Sequence, residues 1–117
     1  MPFFDAAMVL AANAVRGAVT HLQLHSGAPG TAGTTNVTTA ARRPVTWSAA
    51  TADGDFGLSA TVAFTGGAAS GACTYVTLWS ALTGGTCYGS FALTGDATFN
   101  AAGEYNLTAL NINGSAS

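Results

Sequence analysis

Apolar and polar residues alternate along most of this chain, and one early segment departs from that rule. Residues 5–16, DAAMVLAANAVR, mix Met8, Val9, Leu10 and Val15 with Ala on every side, which predicts a helix rather than a strand. Asp5 is placed to cap its start, Arg16 sits in its last turn, and Gly17 is positioned for the left-handed C′ conformation. A helix apolar all round is expected to be buried all round. At about twelve residues it is marginal alone, so it must pack on its own sheet or dock into a neighbouring subunit.

Past Gly17 the period becomes two. In Val19–His25, Leu22 and Leu24 share one face while His21, Gln23 and His25 share the other. In Leu58–Phe64, Leu58, Ala60, Val62 and Phe64 point one way and Ser59, Thr61 and Ala63 the other. Val45–Trp47, Cys73–Trp79, Cys87–Leu93 and Tyr105–Ile112 are further strand candidates. The last slips phase between Leu107 and Leu110, which predicts a bulge near Thr108 or Ala109. Gly-rich punctuation at 27–33, 53–55, 66–67, 84–85 and 103 separates these runs. The expected fold is mainly β: a small antiparallel β-sandwich with one N-terminal α-helix. It forms one domain over 1–117, with residues 1–17 as the helical element and 18–117 as the sandwich. Residues 26–41 lack periodicity and have Val37 as their one large apolar side chain, so that loop is expected to be functional or disordered.

Composition narrows the function. Only three Arg and five Asp or Glu occur in 117 residues, with no Lys, giving 7% charged residues against about 25% in an ordinary soluble domain. Three cations cannot supply the phosphate contacts on which nucleic-acid affinity rests. Nor can they form a polybasic membrane anchor, and no apolar run approaches the ~20 residues of a membrane span. The start Met1-Pro2-Phe3-Phe4-Asp5 lacks the basic region of a secretion signal. A freely soluble protein ordinarily carries more charge, so much of this surface is expected to be covered by other subunits.

Catalytic chemistry is poorly provided for. His21 and His25 lie about 13 Å apart on a strand rising ~3.3 Å per residue, too far to share an ion, and Cys73 and Cys87 lack metal-ligand spacing. A hairpin with Trp79 opposite Thr86 would set Cys73 opposite Ala92 and Cys87 opposite Leu78, predicting two free, buried thiols. Ser26 directly follows His25, so their side chains point to opposite faces, and no nucleophile elbow occurs. Asp53 and Asp55 read as turn solvation, and the sequons at Asn36, Asn106 and Asn113 mean little without secretion. No enzymatic activity, cofactor or metal is expected. Arg42 and Arg43 precede Pro44 at a strand entry, either solvated and paired with Asp53 or Asp55, or available for an inter-subunit salt bridge.

Five strings follow one another in an informative order: HLQLHSGAPGTAG (21–33), ARRPVTW (41–47), VAFTG (62–66), TYVTLWSALTGGT (74–86) and LTGDATFNAAGE (93–104). Together they resemble the small virion proteins of tailed bacteriophages, of minor tail or tail-fibre type, especially those of phages infecting actinobacteria. The resemblance implies an N-terminal helix, then a strand ending in a Pro-Gly turn, an Arg-led second strand, a strand closed by a Gly-Gly turn, and a Thr-rich final hairpin. Two departures stand out. Thr35-Asn36-Val37-Thr38 lacks the family's acidic residue after Asn, and Ala40-Ala41 replaces the aromatic that precedes Ala-Arg. Arg-over-Lys usage with abundant Ala and Gly also suits a GC-rich genome.

The resulting expectation is a virion structural subunit of the tail or its tip, made in the host cytoplasm and assembled as a homo-oligomer with other virion proteins. The alternatives are a capsid decoration protein and a carbohydrate-binding module that stacks Trp79 or Tyr75 on host-surface glycans. The interface candidates are Met8, Val9, Leu10, Val15 and Arg16 on the helix, Arg42 and Arg43, and the aromatics Trp47, Trp79 and Tyr88.

Overall fold

The structure, a computed structural model, describes residues 5–51, 54–93, 97–108 and 110–112. Helix α1 spans Asp5–Ala18, two residues further than the capping pattern predicts. Gly17 lies inside it and is absent from the positive-φ conformations, so it is not the C′ residue. The helical bonding pattern continues to Val19, whose N–H donates to the Val15 carbonyl at 2.9 Å. It stops there because Thr20 N–H is taken by the Trp79 carbonyl at 3.0 Å, which draws the chain into the sheet.

Among the described residues eight strands follow: β1 His21–His25, β2 Arg43–Pro44, β3 Phe56–Gly57, β4 Val62–Phe64, β5 Tyr75–Trp79, β6 Cys87–Ala92, β7 Tyr105–Leu107 and β8 Asn111–Ile112. They make a four-stranded sheet ordered β2-β1-β5-β6 and two ribbons, β3-β8 and β4-β7, with every pairing antiparallel. The described fold is therefore mainly β, with one helix among the described residues, as the sequence pattern predicts.

The core forms where one face of the sheet meets the ribbons. Leu22 and Leu24 of β1 stand opposite Leu78 and Val76 of β5. All four join Val62, Phe64, Leu107, Phe99, Cys73 and Leu110 in one buried cluster. Burying such side chains stabilises the fold by about 1.5–3 kcal/mol each.

Three details differ from the sequence expectation. The run 58–64 does not form one strand. Leu58 bridges Trp47, Ser59 N–H bonds the Thr46 carbonyl, and β4 then pairs with β7, so the chain bends between them and Ala60 is exposed. The β5–β6 hairpin pairs Leu78 with Gly89 and Trp79 with Cys87, with a bulge between, rather than setting Trp79 against Thr86. Over most of its length this is a shift of two residues, which preserves the faces. Finally, the phase slip between Leu107 and Leu110 marks a change of partner: β7 pairs with β4 and β8 with β3, while both Leu side chains stay buried. Of the two expected bulge positions, Thr108 lies between these strands and Ala109 lies outside the described residues.

Candidate interaction surfaces

The second face of the sheet carries His21, Gln23 and His25 beside Trp79, Thr77 and Tyr75, in that register. Alternation makes this the polar, outward face, yet His25 and Thr77 are both fully buried. The cover is the long loop. It is ordered by Ser26 N–H donating to the Asn36 carbonyl at 2.8 Å, Thr35 N–H to the Pro29 carbonyl at 3.0 Å, and Asn36 Nδ2 to the Ala28 carbonyl at 3.1 Å. Gly33 makes the close approach possible. Its φ is +70°, and a Cβ there would lie 2.5 Å from Cys87 Sγ and 3.1 Å from the Trp79 ring, so only glycine fits.

Beneath the loop runs a directed hydrogen-bond chain. The Thr35 carbonyl can only accept, so His25 Nδ1 carries the proton it donates across 2.9 Å. In the neutral ring Nε2 then accepts, 2.8 Å from Thr77 Oγ1, and that hydroxyl oxygen accepts Trp79 Nε1–H at 2.7 Å. Burial pushes the His25 pKa below its ordinary value, the Thr35 bond opposes this, and the charge of Arg42 adds to the lowering. Burial thus favours the neutral ring, in which the chain Trp79–Thr77–His25–Thr35 is satisfied; the Gln23 carbonyl, 3.5 Å away, is a second acceptor for the Thr77 hydroxyl.

Arg42 completes the cover. Its guanidinium carbon lies 3.7 Å from the Trp79 ring centroid. Its Nε donates to Gln23 Oε1 at 3.2 Å, and Nη1 donates to the carbonyls of Ala81 at 3.0 Å and Gly84 at 2.7 Å. These contacts tie β1 to the β5–β6 turn within one chain. Arg43, by contrast, is exposed on the short edge strand β2, and Asp53 lies outside the described residues. Trp79 is buried, with Arg42 over its ring, so it presents no open face for stacking. Trp47 is half-buried, donates Nε1–H to the Val19 carbonyl at 3.1 Å and meets Phe56 edge-on at 5.2 Å. Tyr88 sits at the bulge of β6 and is 53% exposed.

Helix α1 presents a different kind of surface. Ala12 is buried and Met8, Val9 and Arg16 are half-buried on one side. Gly54, with φ +81°, lets the following loop approach the Met8 backbone. The other side is uncovered: Leu10 is 72% exposed, and Ala6, Ala11, Asn13, Ala14 and Val15 are exposed with it. Among the described residues, no strand makes a substantial contact with this helix. Within the chain, therefore, the helix is covered along one side and exposed along the other. Arg16 Nη1 donates to Asn13 Oδ1 at 2.7 Å, while its buried Nε has no hydrogen-bond partner among the described residues.

Cys73 and Cys87 are free thiols, Cys73 buried and Cys87 half-buried, and burial raises the Cys73 pKa, which keeps that thiol protonated. Among the described residues no three His, Cys, Asp or Glu side chains converge, and no helix is long and apolar enough to cross a membrane.

The described residues thus form a small β-rich domain, poor in charge, with one apolar helix exposed along one side. The profile of the family described as "Podophage GP4 fiber I protein gp80" matches residues 6–115. The chain belongs to this family. It is a structural phage tail-fibre family rather than an enzyme family, which places the chain in the virion among other virion proteins. No curated protein and no solved structure matches the chain. Sequence reasoning missed the loop cover and the His25–Thr77–Trp79 chain. The available sign was the glycine density at 27–33, which lets backbone lie directly against a sheet.

Proposed function

We propose that this fibre-family chain is a minor tail or tail-fibre subunit that assembles as a homo-oligomer, and that α1 docks it onto a neighbouring virion protein. The observation that carries the docking reading is Leu10, 72% exposed on a helix with Ala6, Ala11 and Ala14 exposed around it. Burying Leu10 in a partner is worth about 1.5–3 kcal/mol, and the small neighbours allow close backbone approach. Synthesis in the host cytoplasm precedes assembly in this reading. The lack of Lys suits a GC-rich genome, in keeping with the actinobacterial hosts that the resemblance implies. A glycan-binding role gains little support, since Trp79 lies under Arg42.

Replacing Leu10→Asp tests the docking role, because an exposed side chain leaves the fold intact. The variant is expected to keep its thermal midpoint within about 0.5 kcal/mol of stability and to be lost from purified particles. Incorporation equal to that of the unaltered chain would refute the docking role of α1.

A further inference from the structure

The two edges of the four-stranded sheet are built differently. Strand β2 has only two residues, and both Arg43 and Pro44 are exposed, so charge and a missing donor block strand addition there. Strand β6 is six residues long, Cys87–Ala92, and contains neither a charged residue nor proline. Its backbone polarity can be assigned. Leu93 N–H donates to the Thr74 carbonyl at 2.7 Å, in register with Tyr75 opposite Ala92. Alternate residues then face the same way, so Gly89 and Phe91 also bond β5, and the N–H and C=O groups of Ser90 and Ala92 point outward. Among the described residues nothing pairs with them.

We infer that β6 is a self-pairing edge, joining a second copy of this chain through antiparallel β6–β6 addition about a twofold axis at Phe91. This names a contact for the homo-oligomer proposed above and rests on that reading. Three observations select a second copy as the occupant. In the register centred on Phe91, Ser90 faces the partner subunit's Ala92 and Ala92 faces the partner subunit's Ser90, so all four outward groups of each copy are satisfied by four hydrogen bonds. Phe91 meets its own copy at a non-hydrogen-bonded position, where side chains come closest. Leu93 lies opposite the partner subunit's Gly89, whose missing side chain leaves room; a Cβ there would meet only Leu78 Cδ1 at 3.5 Å.

Charge agrees with this. An edge that pairs with itself brings like residues together, and only a neutral strand does so without repulsion. Beside β6 an open groove of mixed character is lined by Phe91, Leu93, Tyr105 and Leu107 together with the polar Thr108 and Asn111. An added strand carries the core-facing Phe91 and Leu93 of the second copy toward the apolar side of that groove.

The test is light scattering or sedimentation of the full chain against Ala92→Pro. The Ala92 N–H points outward, so proline removes a donor of the proposed contact and none of the ladder to β5. The unaltered chain is expected to be dimeric. Ala92→Pro should keep its far-ultraviolet circular dichroism and dissociate about 30-fold more readily, two hydrogen bonds being lost per dimer. Phe91→Cys in a Cys73→Ala, Cys87→Ser background provides an independent register test. Cα atoms about 4.5 Å apart at that position should oxidise to a symmetric disulfide dimer. A monomeric or trimeric unaltered chain, a dimer unaffected by Ala92→Pro, or absence of the Phe91→Cys crosslink would each overturn the inference. Leu10→Asp separates this contact from α1 docking: it should leave the dimer intact while abolishing incorporation, and a dimer lost on Leu10→Asp would move the self-contact to the helix.

Discussion

The hydrogen-bond chain under the loop makes Thr77→Val a sharp perturbation. Valine matches threonine in shape, so packing in the sheet is conserved while one hydroxyl disappears. That hydroxyl oxygen accepts Trp79 Nε1–H at 2.7 Å and lies 2.8 Å from His25 Nε2. Its loss strands a buried donor and a buried acceptor, each costing about 1–3 kcal/mol, so a total of about 2–6 kcal/mol is expected. Urea unfolding followed by tryptophan fluorescence at neutral pH measures it. A loss below about 0.5 kcal/mol with an unchanged urea slope would refute the network. Acid provides a second arm. Because burial holds His25 below its ordinary value of 6.5, the unfolded chain binds the proton first as pH falls. The contribution of neutral His25 is therefore present above that value and is lost as pH drops through the lower folded-state pKa. Stability rising as pH falls from neutrality toward 5 would contradict this sign.

Three further substitutions probe the remaining structure. Arg42→Ala removes the contact with Trp79 and the bonds to Gln23, Ala81 and Gly84, and should cost about 2–4 kcal/mol with red-shifted tryptophan emission. Arg42→Lys should restore only part of this, lacking the planar fork, and unchanged emission in Arg42→Ala would contradict the assignment. Gly33→Ala forces a Cβ against Cys87 Sγ at φ +70° and should destabilise by about 2–4 kcal/mol in thermal unfolding; a neutral effect would mean the loop does not lie on the sheet. Gly17→Ala should instead stabilise by about 0.5–1 kcal/mol, because Gly17 is helical with open space around it; destabilisation would restore it to a left-handed cap.

Alternation made much of the sheet legible in the sequence. Leu22, Leu24, Val62 and Phe64 occupy the core positions their spacing predicts. Local pattern does not encode strand partners, however. The parity change between Leu107 and Leu110 was visible, but its meaning as a switch from β4 to β3 depends on contacts far along the chain. The site was harder still. His25 alternates with Leu24 as an outward residue should, and only the folded loop from Ser26 to Ala41 converts that outward face into an interior. Arg42 was visible as a scarce charge, while its place over Trp79 requires β1 and the β5–β6 turn to be side by side. For Leu10, all-round apolarity left open whether the helix packs on its own sheet or on a neighbour, and within the chain Leu10 stays exposed.

The measurement that bears most directly on the fibre-subunit account is a cryo-electron-microscopy reconstruction of the intact virion at side-chain resolution. The account predicts density for this domain on the tail, with the Leu10 face of α1 packed against a neighbouring virion protein. Density on the capsid exterior, or α1 facing solvent in every copy on the tail, would contradict it.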